Sequence, residues 1–294
     1  MHLDRLAAWL RCPVCGDDLR AVPPLVLRCG RGHAVDANKR GYASLLPAST
    51  RVSGDSAEML SARGRFLDAG HYSPISQGIA DALGAGDDGA GHEPDPGLRR
   101  ILDAGCGTGH YLRALLDRLP SAHGLAADLS VDAVRTAVRG REDVDGVVAD
   151  TWAGLPVRDG VADLVLDVFA PRNMADFHRV LKRDGLLLIV AAGPEHLRQL
   201  REAGRAVGIQ ADKRERILAS AEALFEPLSE TRIRHDLLLP AEDVDRLLGM
   251  GPSAHHRDPR DRPTITAPDG DPTPAEVTLD VTIHLMRRAA STGA

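Results

Sequence analysis

The 294-residue chain is poor in aromatic residues, which make up 3% of it, and in cysteine, of which it has four. It has no apolar stretch of membrane-spanning length. The longest run, residues 186–192, is far short of the roughly 20 residues a spanning helix needs. That excludes a helical membrane span in these residues. No secretory leader is visible either, since Met1-His-Leu-Asp-Arg5 leads almost directly into a cysteine pair. So few thiols cannot staple a disulfide scaffold, and a reducing cytoplasmic setting is expected. Positive charge is also lacking: 36 Lys and Arg against 42 Asp and Glu leave a net charge of −6, which weighs against a polyanionic partner for the chain as a whole. The distribution is uneven, however. Residues 1–80 carry ten basic and seven acidic side chains, while the remainder carries 26 against 35.

Three of the four cysteines lie in one short segment, Cys12-Pro-Val-Cys15 followed by Cys29-Gly-Arg-Gly-His33. Two residues separate the first pair, thirteen separate the two pairs, and three separate Cys29 from His33. This spacing predicts a structural zinc ion on Cys12, Cys15, Cys29 and His33, because zinc prefers four soft or borderline ligands in a tetrahedron. Four protein ligands leave no open position, so a catalytic zinc is not expected. A structural zinc supplies about 10–16 kcal/mol, more than so few apolar residues can. The segment also concentrates Arg11, Arg20, Arg28, Arg31, Lys39 and Arg40, which it would present to a phosphate backbone.

Three regions follow from the pattern. Residues 1–46 read as the zinc-binding, RNA-recognition module, ending in a strand-like tail at 42–46. Residues 47–97 read as a polar linker and N-terminal helices, with a break at Gly70-His-Tyr-Ser-Pro74 and a Gly/Asp/Pro-rich loop at 84–97. Residues 98–294 alternate apolar strands with amphipathic helices. Strands are expected at 100–104, 123–128, 146–149, 162–169 and 186–192, and helices at 109–119, 130–138, 175–181 and 241–250. Continuous apolar strands separated by helices imply an α/β fold with a parallel sheet covered on both faces. Residues 230–239 and 276–286 alternate polar and apolar residues and predict an antiparallel pair at the sheet edge.

A glycine-rich loop, Asp103-Ala-Gly-Cys-Gly-Thr-Gly109, lies between the first of these strands and its helix. Glycine lets the main chain turn tightly and approach a ligand closely. A dinucleotide fingerprint would place its third glycine at position 110, which is His110, so a dehydrogenase is disfavoured. The spacing instead resembles the loop of class I S-adenosylmethionine-dependent methyltransferases, with Gly105, Gly107 and Thr108 against the cofactor. Asp128 ends the next strand, where an acid can hold both ribose hydroxyls; its alternative role is a cap ahead of Ser130. Asp150 ends the third strand, where such enzymes often contact adenine.

Several further segments are more specific. Beyond the zinc quartet and the glycine loop they are Gly41-Tyr42, Asp55, Phe66-Leu-Asp-Ala-Gly-His-Tyr72, Phe169-Ala-Pro171, Gly193-Pro-Glu-His-Leu197 and Met250-Gly-Pro-Ser253. In this order they resemble the zinc-containing 23S rRNA (guanine-N1)-methyltransferases over essentially the whole chain. Val168-Phe-Ala-Pro-Arg-Asn173 and Met250-Gly-Pro-Ser253 are most similar to the Gram-positive branch associated with macrolide resistance. The resemblance implies a class I, Rossmann-like fold with a mostly parallel seven-stranded sheet, and Tyr72 and His196 beside the S-adenosyl-L-methionine. It also implies a 23S rRNA stem-loop near the peptide exit tunnel as substrate, no membrane partner, and a chain that could act as a homodimer.

No catalytic residue is assigned from the sequence. Loss of the guanine N1 proton calls for a base or water, and Asp167 and the pair His255-His256 are candidates without a distinguishing signal. Two rival readings remain: a small-molecule methyltransferase, which leaves the zinc module idle, and a zinc-dependent binding protein with an inactive cofactor domain.

Overall fold

The computed structural model describes residues 2–47, 50, 54–86, 97–206, 213–251 and 274–290. Its centre is a sheet in the order β7-β6-β5-β8-β9-β11-β10. These strands are Val144–Val148 (β7), His123–Asp128 (β6), Arg100–Ala104 (β5), Ala162–Val168 (β8), Leu181–Ala192 (β9), Ala275–Arg288 (β11) and Phe225–Leu239 (β10). The pairings from β7 to β9 are parallel, and β11 runs antiparallel to both its neighbours. The expected seven-stranded, mostly parallel sheet is therefore present.

Strand pleat explains why these segments read as unbroken apolar runs. Ile101, Leu164, Leu166, Leu188 and Val190 point to one core, while Leu102, Val165, Leu187 and Ile189 point to a second on the other face. Helices Ser73–Ala82 (α3), His110–Leu116 (α4) and Val131–Ala137 (α5) cover the first face, and Met174–Val180 (α6) covers the second. Ala57–Asp68 (α2) lies near α5 and against Ala241–Gly249 (α9), where His71 Nε2 meets Asp243 Oδ2 at 2.8 Å.

The N-terminal segment is joined to this sheet more intimately than its sequence indicates. Leu3–Trp9 (α1) leads into three short antiparallel strands, Arg20–Val22 (β1), Val26–Arg28 (β2) and Ala34–Asn38 (β3). Tyr42–Ser44 (β4) then pairs antiparallel to β3 and parallel to β7, extending the sheet to eleven strands. Leu6, Trp9, Leu10, Leu19 and Leu27 belong to the second core. Arg158, just after the turn beyond β7, donates to the carbonyls of Ala7, Leu10 and Leu19 and pairs with Asp18 at 3.0 Å. Arg5 clasps Asp145 of β7 at 2.6 Å.

Boundaries differ from expectation where polar residues sit inside a strand. Strand β9 begins at Leu181 rather than 186, because Asp184 adopts φ 62° and absorbs a register shift between Ala162 and Leu164 of β8. Strand β10 begins at Phe225, ahead of the expected 230.

Candidate functional site

The glycine loop follows β5 and hooks over the end of β6: the N–H groups of Gly105 and Cys106 both donate to Ala127 O, at 2.8 and 3.0 Å. Gly105 has φ 86°, and a Cβ there would lie 2.5 Å from Ala170 Cβ. Gly107 has φ 52°, and a Cβ there would lie 2.8 Å from Arg63 Nη1. A side chain is thus excluded by conformation at both positions, and by space as well at Gly105, where Ala170 cannot swing aside as the Arg63 tip can. Thr108, the next residue, is buried.

Asp128 stands at the C-terminal end of β6. Its Oδ2 accepts from Gly107 N–H at 2.9 Å and its Oδ1 from Ser130 N–H at 2.8 Å. Each carboxylate oxygen has two acceptor sites, so both can accept a further hydroxyl. Burial raises the Asp128 pKa, against the lowering effect of these two N–H groups. Asp103, also buried, is pushed up to about 7 by desolvation and by the neighbouring Asp128. Two desolvated carboxylates beside a naked glycine loop suit a cationic ligand with vicinal hydroxyls, and S-adenosylmethionine has both features.

Tyr72, Phe169 and His196 come from three separate segments and meet at the same rim. Tyr72 Oη lies 3.4 Å from His196 Nε2, and Phe169 stacks on the His196 ring at 5.9 Å with an interplanar angle of 21°. The Tyr72 and Phe169 rings are 6.4 Å apart. Phe169 holds a left-handed φ of 55° directly after β8, a conformation rare for a bulky residue, and is 39% exposed. Behind His196, Asp280 of β11 receives the Glu195 N–H at 2.9 Å and a bidentate Arg232 at 2.7 and 2.8 Å. Asp280 is a residue that sequence reading passed over. Its signal was an acid among Thr278, Thr282 and His284 on the polar side of an alternating strand.

Other candidates are placed differently. Asp150 is half-buried and accepts the Trp152 N–H at 2.9 Å, forming a local turn. Asp167 is fully buried, and its Oδ1 is paired with Arg172 Nε at 3.1 Å. The pair His255-His256 lies outside the described residues. Arg63, unremarked in the sequence, ties this rim to distant segments, pairing with Asp55 at 2.5 Å and donating to Met250 O at 2.8 Å.

The cysteine-histidine quartet converges. The four ligand atoms lie within 4.8 Å of one another, with Cys15 Sγ–Cys29 Sγ at 3.7 Å, Cys12 Sγ–His33 Nδ1 at 3.6 Å and Cys29 Sγ–His33 Nδ1 at 3.4 Å. A tetrahedral zinc with ordinary bond lengths has ligand–ligand edges of about 3.8 Å between sulfurs and about 3.5 Å from sulfur to nitrogen. The donor set and these three edges therefore fit that ion. Gly16 and Gly32, at φ 78° and 89°, turn the two knuckles. Among the six basic residues of the module, Arg11 and Arg31 pair with Asp159 and Asp17, at 3.1 and 3.3 Å. Arg20 and Arg28 are exposed and directly opposite each other across β1 and β2. No helix among the described residues is long and apolar enough to cross a membrane.

Residues 101–185 match the family described as Methyltransferase domain. Over most of its length the chain is similar to proteins named as 23S rRNA (guanine-N1)-methyltransferases. The Micromonospora griseorubida protein is 41% identical over 98% of this chain and 99% of its own. The 23S rRNA (guanine(748)-N(1))-methyltransferase of Streptomyces fradiae is 37% identical over 95% and 96%. The Bacillus subtilis strain 168 protein is 33% identical over 94% and 96%. With the glycine loop, the acid at the end of β6 and relatives matched end to end, the chain belongs to the 23S rRNA (guanine-N1)-methyltransferase family.

Proposed function

We propose that this enzyme methylates N1 of one guanine in a 23S rRNA stem-loop near the peptide exit tunnel, with S-adenosyl-L-methionine as methyl donor and a structural zinc on Cys12, Cys15, Cys29 and His33. The observation that carries this reading is the meeting of Tyr72, Phe169 and His196 at the strand ends, beside the loop of Gly105, Gly107 and Thr108. The Streptomyces fradiae relative is named for guanine 748, and the same position is the reading's first choice here. Decreased macrolide susceptibility of a host carrying the modification is the corresponding phenotype.

The cofactor supplies an activated methyl group on a sulfonium, so the protein's task is chiefly positioning. Asp128 would orient the ribose, the bare main chain at Gly105 and Gly107 would admit the amino-acid end, and the Asp103–Asp128 pair would favour its positive charge. Guanine N1 lies on the Watson–Crick edge, so the base must be unpaired or extruded to react. The Phe169 ring, exposed at the end of β8, would form one wall of its slot. Asp167, held under Arg172, shapes the strand end instead of removing the N1 proton. Arg20 and Arg28 support RNA contact by the zinc module, since two like charges directly opposite on paired strands are unfavourable without an anion.

Labelled-methyl transfer to unmodified 23S RNA, followed by mapping of reverse-transcription stops, tests the reading. A single strong stop in the exit-tunnel stem-loop is expected, because N1-methylguanine cannot pair. Cofactor binding without RNA labelling would replace it with the small-molecule reading. Failure to bind the cofactor at all would point to the zinc-dependent binding protein.

A further inference from the structure

The chain has two tryptophans, and the fold treats them in opposite ways. Trp9 is fully buried, with the Arg100 guanidinium 5.3 Å from its ring centroid. Trp152 is 70% exposed. In a chain so short of aromatics, a large indole left in water forgoes burial that would have stabilised the fold. Its surroundings show that it is held there. Ala149 N–H donates to Asp128 O at 3.0 Å, Asp150 Oδ1 accepts the Trp152 N–H at 2.9 Å, and Asn173 Nδ2 reaches the carbonyls of Thr151 and Trp152 at 3.2 and 3.4 Å. Further along, Leu155 N–H donates to Asp176 Oδ2 at 2.5 Å, and Pro156 O accepts the Arg11 N–H at 3.0 Å. The backbone is pinned on both sides while the indole is displayed.

The place of this loop gives the display a meaning. One end is bonded to the strand that carries Asp128, and the other to the zinc module. Asn173, which clips its middle, closes the segment that begins with Phe169, the other aromatic exposed on this rim. We propose that Trp152 is a stacking platform for an unpaired nucleobase next to the target guanine, between the cofactor rim and the zinc module. A flat π face binds any base without needing its sequence. Its neighbours in the chain, Ala153 and Gly154, are small and do not cover it with bulk of their own. A protein-docking surface would instead show a contiguous apolar patch, whereas among the described residues the other exposed large hydrophobics, Val14, Val131, Phe169, Leu228 and Leu238, come from separate segments of the chain. This inference rests on the RNA-methylation reading.

The test uses the full-length protein and two synthetic RNAs of equal length and charge, one a hairpin with the unpaired exit-tunnel loop and one a blunt duplex. Trp152→Phe keeps Trp9 as its one indole, so the difference between its emission and that of wild type reports on Trp152. The hairpin is expected to quench the fluorescence and the duplex to leave it nearly unchanged. Trp152→Ala should weaken hairpin binding at least about five-fold, while Trp152→Phe stays close to wild type. Both variants should keep wild-type affinity for S-adenosylmethionine and wild-type melting temperature. Equal hairpin affinity for Trp152→Ala and wild type, or equal quenching by hairpin and duplex, would overturn the proposal. If wild type bound the hairpin but methylated no RNA, the function would fail while the stacking result still stood.

Discussion

The main-chain N–H of Asp280 points at Nδ1 of His196 across 3.3 Å. A ring nitrogen that accepts from an amide carries no proton, so His196, when neutral, holds its proton on Nε2 and directs it to Tyr72 Oη, 3.4 Å away. Burial raises the Tyr72 pKa and keeps the phenol protonated, which leaves its own hydrogen to be donated elsewhere. The first prediction follows. His196→Ala should weaken S-adenosylmethionine binding about ten-fold, and His196→Gln, which can present an N–H to Tyr72, should recover part of the loss. Calorimetric titration of both variants checks this. Equal affinity in all three proteins would remove His196 from the cofactor pocket.

The second prediction concerns pH. The Asp103 pKa is raised from an ordinary 3.8 to about 7 in the fold, by burial first and by Asp128 second. The folded ligand-free protein then holds a proton that the unfolded chain gives up. Its stability should fall as pH rises from about 4 to about 7 and level off beyond. Asp103→Asn should therefore be more stable than wild type at pH 8, by on the order of 4 kcal/mol at most, and should match wild type at pH 4, as melting curves at the two pH values check. The same substitution should weaken cofactor binding. A melting difference that does not change with pH would contradict the assignment.

How much was legible in the sequence depended on how local each cause was. The glycine turn, the acid at the end of β6 and the convergence of the Cys/His quartet are legible because backbone conformation and ligand spacing are short-range demands. His196 and Tyr72 emerged only through family resemblance, since nothing near either residue marks it. Trp152 gave no signal, because its exposure is decided by Asn173 and the zinc module, which lie elsewhere in the chain. The parallel pairing of β4 with β7 joins residues about a hundred positions apart, and no local pattern encodes it. Helix α1 escaped for a different reason: it spans seven residues and has no side-chain N-cap.

The third prediction tests the loop. Alanine at Gly105 must adopt φ 86° with its Cβ 2.5 Å from Ala170 Cβ. Strain of about 1–3 kcal/mol is expected from the backbone alone, and relief requires the loop to move away from Ala170. Gly105→Ala should lower the melting temperature and reduce cofactor affinity by more than ten-fold. Gly84→Ala serves as the control: it is also left-handed, at φ 66°, but lies in open space, so it should show strain without the binding defect. Equal cofactor affinity in the two variants would mean that the loop does not cradle the ligand.

The last prediction follows from the shared core. If the segment that carries the proposed zinc site were an independent bead, removing the metal would unfold it and leave the methyltransferase sheet at its own melting temperature. The structure makes this separation costly. Strand β4 is hydrogen-bonded to β7, Leu10, Leu19 and Leu27 pack in the same core as Val147 and Val165, and Arg158 spans the two by its bonds to Ala7, Leu10 and Leu19. Loss of a structural zinc withdraws on the order of 10 kcal/mol, and these contacts transmit the loss to the sheet. Treatment with a strong chelator, or the substitution Cys29→Ser, should abolish stoichiometric zinc. It should also shift the whole unfolding transition to lower temperature as one cooperative step. Arg158→Met should reproduce part of that shift with the metal still bound, because it loosens the joint and leaves the quartet intact. A chelated protein that kept the main transition at wild-type temperature and lost only a small early one would show that module and sheet unfold separately.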